Sequence, residues 1–292
     1  MWPNFFQHKK KSNPGHDRFD QTLESFDLAQ GYQGYHEQCQ SLFTQASQQE
    51  RSILQEKGVE HLTILNPSEA ATFLREALAL ADKTIAKPEI DYSEIILVQD
   101  PSFLQRWFQK IFHPTLHQQL LNYFGSEYLI YWHTLLKAKP AETAIRSFLW
   151  HCDKGPSCHV KILLYLNDFS EHQGSTIFLD RLTTRQFGKA GYVFGSVKKR
   201  EEDLSELAQQ HNIAFHPQGW EMKAGEGIIF EPSQVLHKGI LPSIGPRYVL
   251  AFCLLPSSIP WQAAFSKNNY ESFSQGYNWS TTPQELTQQT KS

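Results

Sequence analysis

The stretch Cys158-His159-Val160-Lys161-Ile162-Leu163-Leu164-Tyr165-Leu166 decides the fold. Val160, Ile162, Leu164 and Leu166 make one wholly apolar face; His159, Lys161, Leu163 and Tyr165 make the other. A period of two belongs to a strand, here with one side suited to packing under helices. The polar groups on the other side need partners if they are buried. Short β-rich runs of the same kind surround it: EYLIYWHTLL at 127–136, STIFL at 175–179, GYVFG at 191–195, NIAF at 212–215, GIIF at 227–230 and RYVLAFCLL at 247–255. Gly, Pro, Asn or Asp punctuates most of them, which predicts an antiparallel sandwich or barrel. One polar insertion, KKREEDLSELAQQ at 198–210, reads as helical.

Upstream the texture is helical. His61 to Leu65 reads as a short strand, after which Asn66 offers an N-cap, Pro67 the first helical position and Glu69 the third. Ala70, Phe73, Leu74, Ala77, Leu78 and Ala81 then line one stripe. A second helix is expected from Asp100-Pro101, and a third from Pro114 to Gly125. The class is therefore α+β, with packing helices first and a β core second. The Gln-rich segment from Leu28 to Gln55 has at best a weak helical face, and HKKK at 8–11 reads as a solvated tail. The expected organisation is a tail over 1–50, one domain over 51–265 and a second tail over 266–292. Within the domain, 66–125 is the helical part and 126–256 the β part.

Composition narrows the functions. Hydrophobic residues make up 40% and charged residues 20%, enough apolar content for a packed core. A net charge of -3 leaves no electrostatic footprint for a nucleic-acid binder. No run of about 18 apolar residues suggests a membrane span, and MWPNFFQHKKK has no signal-peptide core. The 4 cysteines share no repeated spacing, so a reducing, cytoplasmic compartment is expected.

The chemistry centres on His151-Cys152-Asp153, directly after the apolar run SFLW at 147–150. In an extended segment residues i and i+2 share a face, so imidazole and carboxylate can converge on one metal ion. With 13 His and 30 acidic residues in 292, about one His-x-acid triplet arises by chance. Alone, then, the triplet reads first as a surface pair. His237, 84 residues after Asp153, follows GEGIIF at 225–230 and a Pro232 turn. A third ligand would complete two histidines and one carboxylate on one face of an iron(II) ion, with open positions opposite for a cosubstrate and dioxygen. Arg247, ten positions further on, shares a strand face with the small residues Val249, Ala251 and Cys253. A guanidinium there can hold a dicarboxylate through two parallel hydrogen bonds, or form a plain surface ion pair. Tyr165 and Lys161 can hydrogen-bond an anionic cosubstrate, or turn to backbone and solvent respectively.

Together the WHCD box at 150–153, KILLYLND at 161–168, QGSTIF at 173–178, GEGIIF at 225–230, His237 and Arg247 resemble the iron(II)/2-oxoglutarate-dependent oxygenase superfamily. The likeness spans roughly residues 60–256 and points equally to the phytanoyl-CoA dioxygenase-like and prolyl 4-hydroxylase-like branches. It implies a double-stranded β-helix (jelly-roll) core, with His151, Asp153 and His237 as ligands of Fe(2+). Arg247 becomes the partner of the distal carboxylate of 2-oxoglutarate. Many members carry Ser or Thr two residues after this Arg; Val249 stands here, so Tyr165 or Thr176 would substitute. The implied reaction takes 2-oxoglutarate and O2 as cosubstrates, releases succinate and CO2, and hydroxylates an unactivated C–H bond of a small-molecule or acyl substrate. Halogenating members lack the carboxylate ligand, whereas Asp153 is present. The alternatives are a prolyl or peptide hydroxylase and a non-catalytic cupin-like binding module. Segment 181–222, where glycines alternate with Phe187, Tyr192, Phe194 and Trp220, reads as a lid or as a loop with buried aromatics.

Overall fold

Three helices form where local chemistry dictates them. Asn66 accepts from Glu69 N–H at 2.9 Å while its own N–H donates to Glu69 Oε2 at 3.2 Å, a reciprocal cap. Asp100 caps the next helix through Phe103 N–H at 2.8 Å. The third begins at Pro114 and stops at Gly125, whose φ of 60° is the left-handed conformation that glycine adopts without steric cost.

The computed structural model of the chain describes residues 32–43, 52–81, 83–87, 93–153, 158–169, 174–192, 194 and 197–268. Its helices are α1 (Tyr32–Leu42), α2 (Ile53–Lys57), α3 (Pro67–Leu80), α4 (Pro101–Ile111), α5 (Pro114–Phe124), α6 (Arg181–Lys189), α7 (Ser205–Gln210) and α8 (Trp261–Asn268). Its strands are β1 (Val59–Thr63), β2 (Lys83–Lys87), β3 (Ser93–Leu97), β4 (Glu127–Ala138), β5 (Val160–Tyr165), β6 (Thr176–Phe178), β7 (Glu226–Phe230), β8 (His237–Gly239) and β9 (Arg247–Ser257). The tail at 8–11 and residues 269–292 lie outside the described residues.

Two antiparallel sheets result. The larger runs β1-β7-β5-β9-β4-β3-β2, and the smaller pairs β6 with β8. Single bridges from His151 to His237 and from Phe178 to Gln218 widen the smaller sheet on both sides. From β4 onward the chain winds between them: β4 in the large sheet, His151 in the small, β5 large, β6 and Gln218 small, β7 large, β8 small, β9 large. This is the winding of a double-stranded β-helix. The outer face of the large sheet packs under helices: Ile162, Phe252 and Leu254 join Phe73, Phe108, Phe112 and Leu120 in one buried cluster. Between the sheets lies a second cluster of Tyr165, Phe178, Met222, Ile228, Phe230 and Val249.

Gly225 sits where β1 meets β7 and allows no other residue. Its φ is +94°, and a Cβ there would lie 2.1 Å from the carbonyl oxygen of Leu65. Its own carbonyl accepts from Ile64 and Leu65 N–H, each at 2.9 Å.

Several expected elements are different. Segment 66–125 contains the β2–β3 hairpin besides its helices, because Ile95 and Ile96 pair with Leu136 and Leu135 and extend the large sheet. The first strand lies at Val59–Thr63, two positions before the expected one, since it takes its register from Glu226–Phe230. The described residues of GYVFG and NIAF form no strand. Their apolar side chains serve a third cluster instead, with Tyr192 and Phe194 buried against Trp150, Phe187 and Leu204, and Ile213 and Phe215 packed at its edge. In 198–210 the helix is confined to Ser205–Gln210, after a 3-10 turn at Val197–Lys199.

Candidate metal centre

Both histidines come from the small sheet and face each other across an antiparallel bridge. His151 N–H donates to His237 O at 3.0 Å, and His237 N–H to His151 O at 2.9 Å. Their rings lie 4.3 Å apart. Each Nδ1 meets a backbone carbonyl, Leu149 O at 2.7 Å for His151 and Val235 O at 2.9 Å for His237. A carbonyl only accepts, so each Nδ1 carries a proton, which leaves Nε2 as the nitrogen of each ring that can bind a metal. Asp153 completes the group: its Oδ1 lies 3.5 Å from His151 Nε2 and its Oδ2 lies 3.7 Å from His237 Nε2. Ligand atoms of the three residues all lie within 4.8 Å of one another, a set able to hold a metal ion. Cys152, between the two on the chain, is fully buried in the opposite direction with Trp150, Leu179 and Leu236. The i, i+2 reading of the HCD triplet therefore holds in three dimensions.

The turn at 231–236 holds two of the three residues, Asp153 and His237. Asp153 N–H donates to Pro232 O at 2.7 Å, while Val235 O takes the His237 Nδ1 proton. Glu231 anchors that turn from below; its buried carboxylate accepts from Arg181 Nε at 3.0 Å and from the hydroxyl of Tyr123. Sequence reasoning missed this pairing, although an acid directly after the apolar run GIIF was its signal.

Electrostatics suit a cation. Burial alone would raise the Asp153 carboxyl, but Lys161 foremost, then both histidines, outweigh it and hold the group well below its ordinary range. Burial, with His151 beside it, pushes His237 down to about 3, so its imidazole is neutral at physiological pH. Phe178 and Phe230 wall the His237 ring at 6.0 and 4.9 Å between centroids.

Arg247, Tyr165 and Thr176 gather one step along the same barrel. Tyr165 Oη donates to Thr176 Oγ1 at 3.2 Å and accepts from Thr176 N–H at 3.0 Å. Arg247 Nη1 donates to Ile240 O at 3.1 Å and more weakly to Ser175 O at 3.4 Å. Ile240 follows His237 by three residues, about 10 Å of extended chain. Lys161 stands apart from this trio. Its Nζ donates to Asp153 Oδ2 at 2.5 Å and lies 5.1 Å from the Trp132 ring, so it belongs with the His151–Asp153–His237 group. Alternation put Lys161 on the correct face; its partner was set by the return of Asp153 from the other sheet.

No family model matches the sequence, and no curated protein matches it. Among solved structures the chain is similar to the epimerase SnoN in complex with Fe3+, alpha ketoglutarate and nogalamycin RO. That match is 12% identical over 77% of this chain and 85% of SnoN, with a TM-score of 0.48. It is also similar to SnoK, a non-heme alpha ketoglutarate dependent carbocyclase, at 13% identity, 73% and 87% coverage and TM-score 0.48. EctD from S. alaskensis in its apoform matches at 18% identity, 73% and 80% coverage and TM-score 0.47. Among the described residues, no helix is long and apolar enough to cross a membrane.

Proposed function

We propose that the chain is an iron(II)- and 2-oxoglutarate-dependent dioxygenase that hydroxylates an unactivated C–H bond of a small-molecule or acyl substrate. The observation that carries this reading is the convergence of His151, Asp153 and His237, with both Nε2 atoms freed by carbonyls behind them. Two neutral nitrogens and one carboxylate on one face are a donor set suited to iron(II). When bound there, iron would supply activation of dioxygen coupled to oxidative decarboxylation of 2-oxoglutarate to succinate and CO2.

The protein's own part is binding, orientation and exclusion of water. Arg247 is the anchor for the distal carboxylate: two carbonyls fix its Nη1, which leaves the rest of the guanidinium to make the forked contact. Thr176 supports it. Its Oγ1 accepts from Tyr165, so its own hydroxyl proton remains to donate, the role that Val249 cannot play two residues after Arg247. Tyr165 is then a positioning residue for Thr176. Phe178, Phe230 and Met222 keep the floor of the site dry.

Anaerobic addition of iron(II) and then 2-oxoglutarate should produce a visible charge-transfer band in the wild type. Substrate-dependent succinate release, screened over acyl-CoAs, lipids, amino acids and peptides, then names the substrate class. A peptide hit would favour the peptide-hydroxylase reading. Failure of the chain to bind iron or 2-oxoglutarate would sink the proposal.

A further inference from the structure

Lys161 does something that a two-histidine, one-carboxylate site does not require. Its ammonium stands against Asp153 Oδ2, the oxygen facing His237 Nε2, and thus against the one charged member of the donor set. It cannot easily swing away. Its backbone is paired on both sides, to Cys253 in β9 and Phe230 in β7, and its Nζ is packed over the Trp132 ring. Lys161 and Asp153 side chains are 19% and 21% exposed, so solvent screens the pair only in part. The charges then sum simply. A metal binds only neutral imidazoles, so in the metal-binding form the carboxylate alone would give the donor set one negative charge; with Lys161 beside it the set is neutral. A divalent cation gains less on entering a neutral set, and a fixed positive charge close by repels it. A dicarboxylate arriving with the metal restores the negative charge that Lys161 cancels.

We infer that Lys161 couples the two ligands, keeping the His151–Asp153–His237 set a weak site for a divalent cation until a dicarboxylate binds beside it. This rests on the reading of the site as one for metal and dicarboxylate. Thermodynamic linkage makes the effect mutual: the dicarboxylate tightens the metal by the factor by which the metal tightens the dicarboxylate.

Titration calorimetry of the full chain with Mn(II), alone and with saturating 2-oxoglutarate, reads this without turnover. In the wild type the dicarboxylate should tighten Mn(II) by roughly 5–150-fold, the usual range of coupling between two sites. Lys161→Met keeps the length that packs on Trp132 and removes the charge. It should bind Mn(II) alone more tightly than the wild type, and the tightening by 2-oxoglutarate should be several-fold smaller, the remainder being direct ligation of the metal by 2-oxoglutarate. Lys161→Arg, which keeps the charge, should retain the coupling. Lys161→Gln provides a second neutral variant should Lys161→Met not fold. Neutral variants with wild-type melting temperatures but equal or weaker Mn(II) affinity would overturn the inference and leave the metal site standing. If His237→Ala binds Mn(II) like the wild type, it is the reading of the site that fails.

Discussion

The two faces of β5 lie in different media, although their residues alternate along one strand. On the outer face Val160, Ile162 and Leu164 are fully buried beneath the helices, and β9 adds Leu250, Phe252 and Leu254. On the inner face stand Lys161 and Tyr165, and β9 adds Arg247 before Val249, Ala251 and Cys253. Outside, volume is what counts. Inside, three polar groups are each held by a partner: Lys161 by Asp153, Tyr165 by Thr176, Arg247 by two carbonyls. Burying such groups without partners would cost more than the apolar contacts return. The strand therefore separates stability, carried on one side, from chemistry, carried on the other.

The strongest way to break this division is at the inner face. His237→Ala should abolish metal binding and turnover while the melting temperature stays near that of the wild type. Full activity in this variant would remove the metal assignment. On the outer face the opposite result is expected. Phe252 is fully buried and packs its ring 5.0 Å from Phe108 and 5.2 Å from Phe112. Phe252→Ala should cost about 3–5 kcal/mol of stability in chemical denaturation, as large cavities in aromatic cores do. It should still bind metal below its melting temperature. If it lost metal binding while folded, the two faces would not be separable.

A smaller effect tests the cosubstrate end. Arg247→Ala should raise the 2-oxoglutarate requirement by roughly one to three orders of magnitude, from about 2–4 kcal/mol of lost charge-assisted contact. Arg247→Lys should recover part of it, because an ammonium cannot make the fork. Unchanged dependence on 2-oxoglutarate would place the dicarboxylate elsewhere.

The smallest effect sharpens the comparison, because one polar group sits on the wrong side. His133 of β4 pairs with Phe252 and points into the outer core, its ring 5.0 Å from Phe108. Burial pushes its pKa from 6.5 down to about 4. The folded state therefore keeps it neutral where the unfolded chain would already bind a proton. Its contribution is intact above pH 6.5 and is lost as the pH falls toward 4, which amounts to about 2 kcal/mol between pH 7 and 5. His133→Leu should flatten that part of the stability profile. An equally steep loss in the variant would assign it to other groups.

What could be read in advance followed from short-range geometry. The Asn66 cap, the Asp100 cap and the Gly125 stop are contacts within one helical turn, so a few residues determine them. The alternation of β5 and the shared face of His151 and Asp153 follow from the two-residue period of extended chain. What escaped needed distant partners. Ile95 and Ile96 became a strand because Leu136 and Leu135 offered a ladder, whereas the described residues of GYVFG and NIAF, equally rich in strand formers, met none. Propensity for strands is largely the packing a neighbour provides, so the same composition went both ways.

The sequence by itself determined the cast at the site: the donor types, their order along the chain and the face each would occupy. Only the tertiary structure decided who meets whom. His237 reaches His151 because two segments pair backbone to backbone across the small sheet, although they lie 86 positions apart in the chain. Lys161 reaches Asp153 because the large sheet carries it under the end of that same strand. Period and capping act over a few ångströms of covalent chain and are written locally. An ion pair or a ligand set depends on the closure of long loops, which is settled by the packing of both sheets at once.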